Sequence, residues 1–342
     1  MPIHSHPQVS RESFLLSNLA NKLSNPTTLA DFQRKTGLSD FYWDVLYDKS
    51  RWTQPNLETA LAEAEGYIFF IHGWDASHQI WEDLPLRLLL QKGRLVCFLP
   101  DVNGFGKSPF IKDIPTANDC CPSALMIAFE LWMSTIGLWP VKNRHWKPFY
   151  LFVGHSMGGA ALFYKAERGW QNEAYGLYAI APALLCNDVQ LKTFYKTLGF
   201  GIGLPSFSFL KKRLAPQVIE VLGGGASNLV KNEHIRIFNN TPFGTLAQTI
   251  YAMGAKATLP QRNDWSNLRI ALGNKDKLVS LTSMLELVEQ FDVHADQLRV
   301  ALGDHYFFSH GSQSPHSHRH NREVVLNDLL AFCDQLESNL GI

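Results

Sequence analysis

The chain has 342 residues, 46% of them hydrophobic and 18% charged, which is enough apolar content for one large packed core and excludes a disordered chain. Lysine plus arginine and aspartate plus glutamate both number 31, so the formal net charge is zero. That balance offers no overall attraction to nucleic acid or to an anionic membrane, and small neutral or locally recognised ligands fit better.

The N-terminus, MPIHSHPQVSRESF, lacks the basic region and apolar core of a signal peptide, and a cytoplasmic location is expected. Residues 1–65 read as a mostly helical N-terminal extension, with helical patches at Arg11–Leu23 and Leu57–Ala64 and an aromatic cluster at Phe41–Trp43. Whether this extension also supplies antiparallel edge strands is not decided by its pattern. From residue 66 onward, short apolar runs end in turn residues and read as buried strands: Tyr67–His72, Arg94–Pro100, Pro148–Gly154, Ala174–Ala181, Leu268–Leu272 and Leu298–Leu302. Helical periodicity fills Trp81–Gln91, Gly158–Gln171 and Leu281–Phe291 between them. Strands that are apolar throughout, alternating with helices, predict an α/β fold with a mostly parallel sheet covered on both faces.

Two stretches interrupt this alternation. Ser123–Val141 is apolar enough to raise the question of a membrane span, but Glu130 sits at its middle and Gly137 and Pro140 break its end; a helix packed on the sheet is expected instead. Residues 185–266 contain no strand–helix unit and are rich in Phe, Leu and Gly. So long a segment is expected to be a helical cap inserted between the two parts of the core, 66–184 and 267–342. The five cysteines (Cys97, Cys120, Cys121, Cys186, Cys333) have no C-x-x-C pair and an odd count, which predicts free, mostly buried thiols.

Gly154-His155-Ser156-Met157-Gly158 matches G-x-S-x-G. The pattern alone is weak. Here it follows the apolar strand PFYLFVG and opens the helical segment GGAALFYKAE, a strand–turn–helix that lifts a serine over the sheet edge. The helix N-terminus behind it directs free N–H groups toward developing negative charge. A serine hydroxyl needs a base, and the base a carboxylate to orient it. Asp276 follows LRIALGNK and His305 follows LRVALGD, so the candidates occur in the order Ser156, Asp276, His305, at the C-terminal ends of separate strands.

From about Gly66 to its end the chain resembles the α/β-hydrolase superfamily, through FFIHGWDAS, LPDVNGFGKS, GHSMGG, LGNKD and LGDHYF. The resemblance implies an α/β-hydrolase fold and a serine hydrolase with Ser156 as nucleophile, His305 as base and Asp276 as acid. It also implies an oxyanion hole from the backbone N–H groups of Trp74 and Met157. No metal or organic cofactor is implied. The expected activity is cleavage of an ester-type bond, carboxylesterase- or lipase-like, in a small apolar ester or thioester; no nucleic-acid partner and no stable membrane span are expected. Thioesterase or acyltransferase activity, hydrolysis of a carbon–carbon bond, and a non-catalytic ligand-binding homologue are the alternatives. Asn103 stands where many relatives carry a basic residue, and serine at the elbow argues against the aspartate-nucleophile chemistry of dehalogenases and epoxide hydrolases.

His310 competes with His305, and Asp304 with Asp276; position relative to the strand ends favours His305 and Asp276. His72 is expected to brace the oxyanion loop and His155 to pack beside the elbow. The His-rich stretch Ser309–His320, with His316, His318 and His320, reads as a solvated loop rather than a zinc site, since no cysteine or carboxylate stands at ligand spacing. Lys211-Lys212-Arg213 reads as a solvated helix face.

Overall fold

The computed structural model describes residues 6–22, 26–138, 148–165, 174–223, 225–261, 264–310 and 315–340. In chain order the elements are β1 (Val9–Leu15), α1 (Leu16–Lys22), α2 (Pro26–Thr36), β2 (Tyr42–Asp48), α3 (Leu57–Glu63), β3 (Gly66–Ile71), α4 (Leu84–Gln91) and β4 (Leu95–Pro100). Next come α5 (Ala117–Cys120), α6 (Pro122–Thr135), β5 (Phe149–His155), α7 (Met157–Leu162) and β6 (Tyr175–Ile180). Four helices follow: α8 (Val189–Ile202), α9 (Pro205–Leu222), α10 (Asn228–Asn240) and α11 (Phe243–Ala255). The chain finishes with β7 (Leu268–Gly273), α12 (Leu281–Gln290), β8 (Leu298–Ala301) and α13 (Pro315–Leu340).

The strands form one sheet in the order β1-β2-β4-β3-β5-β6-β7-β8. From β4 to β8 every pairing is parallel; β1 and β2 are antiparallel. The parallel strands read as unbroken apolar runs because both faces are buried. On β3, Tyr67, Phe69 and Ile71 join one core layer while Ile68 and Phe70 join the other. Phe69 stacks on Phe98 of β4 at 4.9 Å and on Phe152 of β5 at 5.2 Å. The α6 helix covers this face with Phe129, Trp132 and Met133, and α4 and α13 cover the other with Leu88, Leu89, Leu326, Leu329 and Phe332. Among the described residues no helix is long and apolar enough to cross a membrane.

One open point is decided and one reading changes. Beside its helices α1, α2 and α3, the N-terminal segment supplies two antiparallel edge strands, β1 and β2, that extend the same sheet. The strand character of β2 is masked in YWDVLYD because Asp44, fully buried, breaks the apolar run. Its carboxylate accepts from Arg11 Nε and Ser13 Oγ, both at 2.6 Å, and from the Tyr42 hydroxyl. Second, part of the His-rich stretch is helical: α13 begins at Pro315, a residue that suits a first helical turn, and His320 is exposed on it. Residues 311–314 lie outside the described residues, as do 166–171 of the helix expected over Gly158–Gln171, whose described part ends at Leu162.

Candidate active site

Ser156 is the single residue between β5 and α7. Its φ of 54° and ψ of −116° lie where an L-residue is strained by about 1–3 kcal/mol. The surroundings hold it there. Its N–H donates to the Ile180 carbonyl of β6 at 2.9 Å, and its carbonyl accepts from the N–H groups of Ala160 at 2.8 Å and Ala183 at 2.9 Å. The flanking glycines are sterically required: a Cβ on Gly154 would stand 2.5 Å from the Gly158 carbonyl oxygen, and one on Gly158 would stand 2.3 Å from that of Ile71 on β3.

The loop after β3 runs against this turn. A Cβ on Gly73 would lie 2.8 Å from Ser156 Cβ and 3.4 Å from its Oγ. Neither the Trp74 nor the Met157 backbone N–H donates to an acceptor among the described residues; Met157 opens α7, where helix geometry leaves the N–H unpaired. His72 fastens the loop. Its Nε2 accepts from the Val102 N–H at 2.9 Å, so Nδ1 carries the proton and donates to the Gly73 carbonyl at 2.8 Å. Burial pushes its pKa down to about 4, which keeps that tautomer neutral. Asn103 donates to the Cys120 carbonyl at 2.8 Å and meets Met157 Sδ at 3.2 Å.

Asp276 lies just beyond β7 and His305 beyond β8, neighbouring strands that pair Gly273 with Ala301. His305 Nδ1 donates to Asp276 Oδ2 at 2.8 Å. The other carboxylate oxygen accepts from the N–H groups of Leu278 at 2.8 Å and Val279 at 3.0 Å, which fixes the carboxylate plane. The rivals face elsewhere: Asp304 accepts from the Tyr306 N–H, and His310 Nε2 meets Asp83 at 3.0 Å. His155 donates from Nε2 to the His305 carbonyl at 3.1 Å and sets its ring 4.7 Å from that of His305. Its Nδ1 has no partner, and burial holds its pKa well below the usual value.

Ser156 and His305 line one pocket with Trp74, Leu278 and Tyr306. Tyr195, Ile219, Leu222, Ile250 and Met253 close it from α8, α9 and α11. No hydrogen bond joins Ser156 Oγ to His305 among the described residues; bonds of this kind commonly tighten only around a bound substrate.

Three polar residues of this region have no clear signal in the sequence. His234 of α10 donates from Nδ1 to the Asp75 carbonyl and accepts at Nε2 from the Tyr306 hydroxyl at 2.7 Å. Asp75, at φ 53°, is fully buried, and neither carboxylate oxygen has a hydrogen-bond partner. Burial raises its pKa to about 7, against the opposing pull of His234. His234 stands 159 positions from Asp75, so no local pattern announces the contact. Lys211 is not a solvated cation. Its Nζ donates to the carbonyls of Asn239 and Thr241 and caps the end of α10.

No protein-family model matches the chain, and no curated protein matches it in sequence. Solved structures do match in fold. A thermophilic esterase from Thermogutta terrifontis superposes with a TM-score of 0.55 at 14% identity, over 87% of this chain and 95% of that one. A bromoperoxidase from Bacillus anthracis gives 0.57 at 14% identity, over 86% and 95%. An epoxide hydrolase of the alpha/beta hydrolases superfamily, from metagenomes of hot environments, gives 0.54 at 15% identity, over 85% and 94%. The chain has the α/β-hydrolase fold. At these identities the likeness carries the fold alone.

Proposed function

We propose that this protein is a serine hydrolase that cleaves an ester-type bond through an acyl-enzyme. The observation that carries the reading is the strained Ser156 at a strand–helix turn, lining one pocket with an imidazole whose far nitrogen is bonded to a carboxylate. His305 Nε2 takes the proton from Ser156 Oγ as the oxygen attacks the substrate carbonyl. Asp276 fixes the tautomer that leaves Nε2 free to accept and stabilises the imidazolium that forms. The Trp74 and Met157 N–H groups receive the negative charge of the tetrahedral oxygen. Collapse expels the alcohol, protonated by His305; water, deprotonated by the same imidazole, then releases the acid. Every step uses groups of the chain itself.

Residues 185–266 serve as the cap in this reading, and the aliphatic lining supplied by α9 and α11 favours apolar acyl chains. A cytoplasmic setting is supported by the five free cysteines, four of them buried. The test is labelling by a fluorophosphonate probe, which the wild type should accept and Ser156→Ala should not. Absence of labelling, or labelling that survives the substitution, overturns the mechanism. A series of p-nitrophenyl esters run beside acyl-CoA thioesters sets the substrate class. Preference for acetate over octanoate overturns the apolar-pocket reading, and preference for the thioesters makes the protein a thioesterase.

A further inference from the structure

The zero net charge of the chain hides an uneven distribution. Residues Val189–Leu222, which form α8 and α9, hold five basic side chains and one acidic one. That acid, Glu220, is paired with Lys231 of α10 at 2.9 Å. Two of the bases are committed to backbone carbonyls: Lys192 to Cys186 at 3.1 Å, and Lys211 to the end of α10. Lys196, Lys212 and Arg213 have no acidic partner among the described residues.

The two helices meet at the bend Gly203-Leu204. Within about a turn and a half on either side stand large apolar side chains in water: Phe200 at 70% exposure, Leu204 at 42%, Phe209 at 89% and Leu210 at 47%. Lys196 precedes Phe200 by one helical turn, and Lys212 and Arg213 follow Phe209 by one. An apolar tip is thus flanked by unpaired cations on both of its arms. We propose that the corner where α8 meets α9 is a peripheral anchor that seats the protein on an anionic lipid surface. The aromatic and aliphatic tip enters the boundary between headgroups and acyl chains, and the lysines and arginine meet the phosphates. A second copy of this chain is a poorer occupant, because a two-fold contact through this tip sets Lys212 and Arg213 against their own kind. The tip and the pocket share one helix: Ile219 and Leu222, at the far end of α9 from the bend, line the Ser156 cavity. The anchor itself does not depend on the chemistry at Ser156.

The test is co-sedimentation of the full chain with phosphatidylcholine vesicles, with and without a minority of phosphatidylserine. The wild type should sediment with the mixed vesicles far more than with pure phosphatidylcholine. Exchanging Lys196, Lys212 and Arg213 for Gln should weaken partitioning to the mixed vesicles roughly a hundredfold, about fivefold per cation. Phe200→Ser with Phe209→Ser should abolish sedimentation while leaving the thermal unfolding midpoint unchanged. Absence of wild-type sedimentation, or sedimentation unaffected by the double serine variant, overturns the proposal. So does a lipid-free dimer that the double variant dissociates, with no vesicle binding.

Discussion

Asp75→Asn removes a carboxylate that the fold buries completely and leaves without a hydrogen-bond partner. In the folded protein burial raises this group from 3.8 to about 7; His234, its nearest basic neighbour, stands 3.8 Å away, too far for a hydrogen bond. A raised carboxyl pKa contributes stability that is fully present below 3.8 and is lost as pH climbs through about 7, because the unfolded chain releases this proton first. A difference of about three pKa units at about 1.4 kcal/mol each gives about 4 kcal/mol. Asparagine keeps the shape and does not titrate. Urea unfolding of both proteins at several pH values, with ionic strength held constant, gives the difference in stability between them, in which all other titrating groups cancel. That difference should move in favour of Asp75→Asn by about 4 kcal/mol between about pH 4 and about pH 8. A flat difference across that range refutes the reasoning and returns Asp75 to an ordinary solvated carboxylate.

Asp276→Asn should lower kcat by about four orders of magnitude with little loss of stability, since the amide oxygen can still accept from the Leu278 and Val279 N–H groups; steady-state kinetics beside a thermal melt measures both. Gly158→Ala should cost at least about 2 kcal/mol and abolish fluorophosphonate labelling, because the new methyl group meets backbone oxygens of Ile71 at 2.3 Å and His72 at 2.5 Å; a folded, fully labelled variant would contradict the packing described for the turn. Arg322→Met removes the cation that Glu82 meets at 3.2 Å inside the fold, leaving the buried carboxylate only the Ser227 hydroxyl and the His310 N–H, and should destabilise by about 3 kcal/mol in urea unfolding.

Much of the architecture is legible in the sequence because it depends on local pattern. Parallel strands buried on both faces must be apolar at every position, so β3, β4, β5, β6 and β7 stand out as runs. The turn at Ser156 can be read because its glycines are demanded by contacts a few residues away or with the next strand, and the order Ser156, Asp276, His305 follows from the order of the strands. Where burial is secured by distant polar partners the pattern fails. β2 contains Asp44, whose cost is met in part by its own strand neighbour Tyr42 but also by Arg11 and Ser13 of β1, 33 and 31 positions away.

What the chain determines by itself is therefore the parallel part of the sheet, the turn and the candidate chemistry, all set by period and by short-range sterics. Position after the strand ends already favours Asp276 over Asp304; tertiary structure adds the contact itself, setting Asp276 against His305 Nδ1 and turning Asp304 to the Tyr306 N–H. It alone brings His234 to Asp75 and Tyr306, and buries Asp75 without a partner. It also decides which cations of a neutral chain remain unpaired beside exposed phenylalanines. Composition averages charge over the whole sequence, whereas a surface or a pocket responds only to the few side chains that folding leaves within reach.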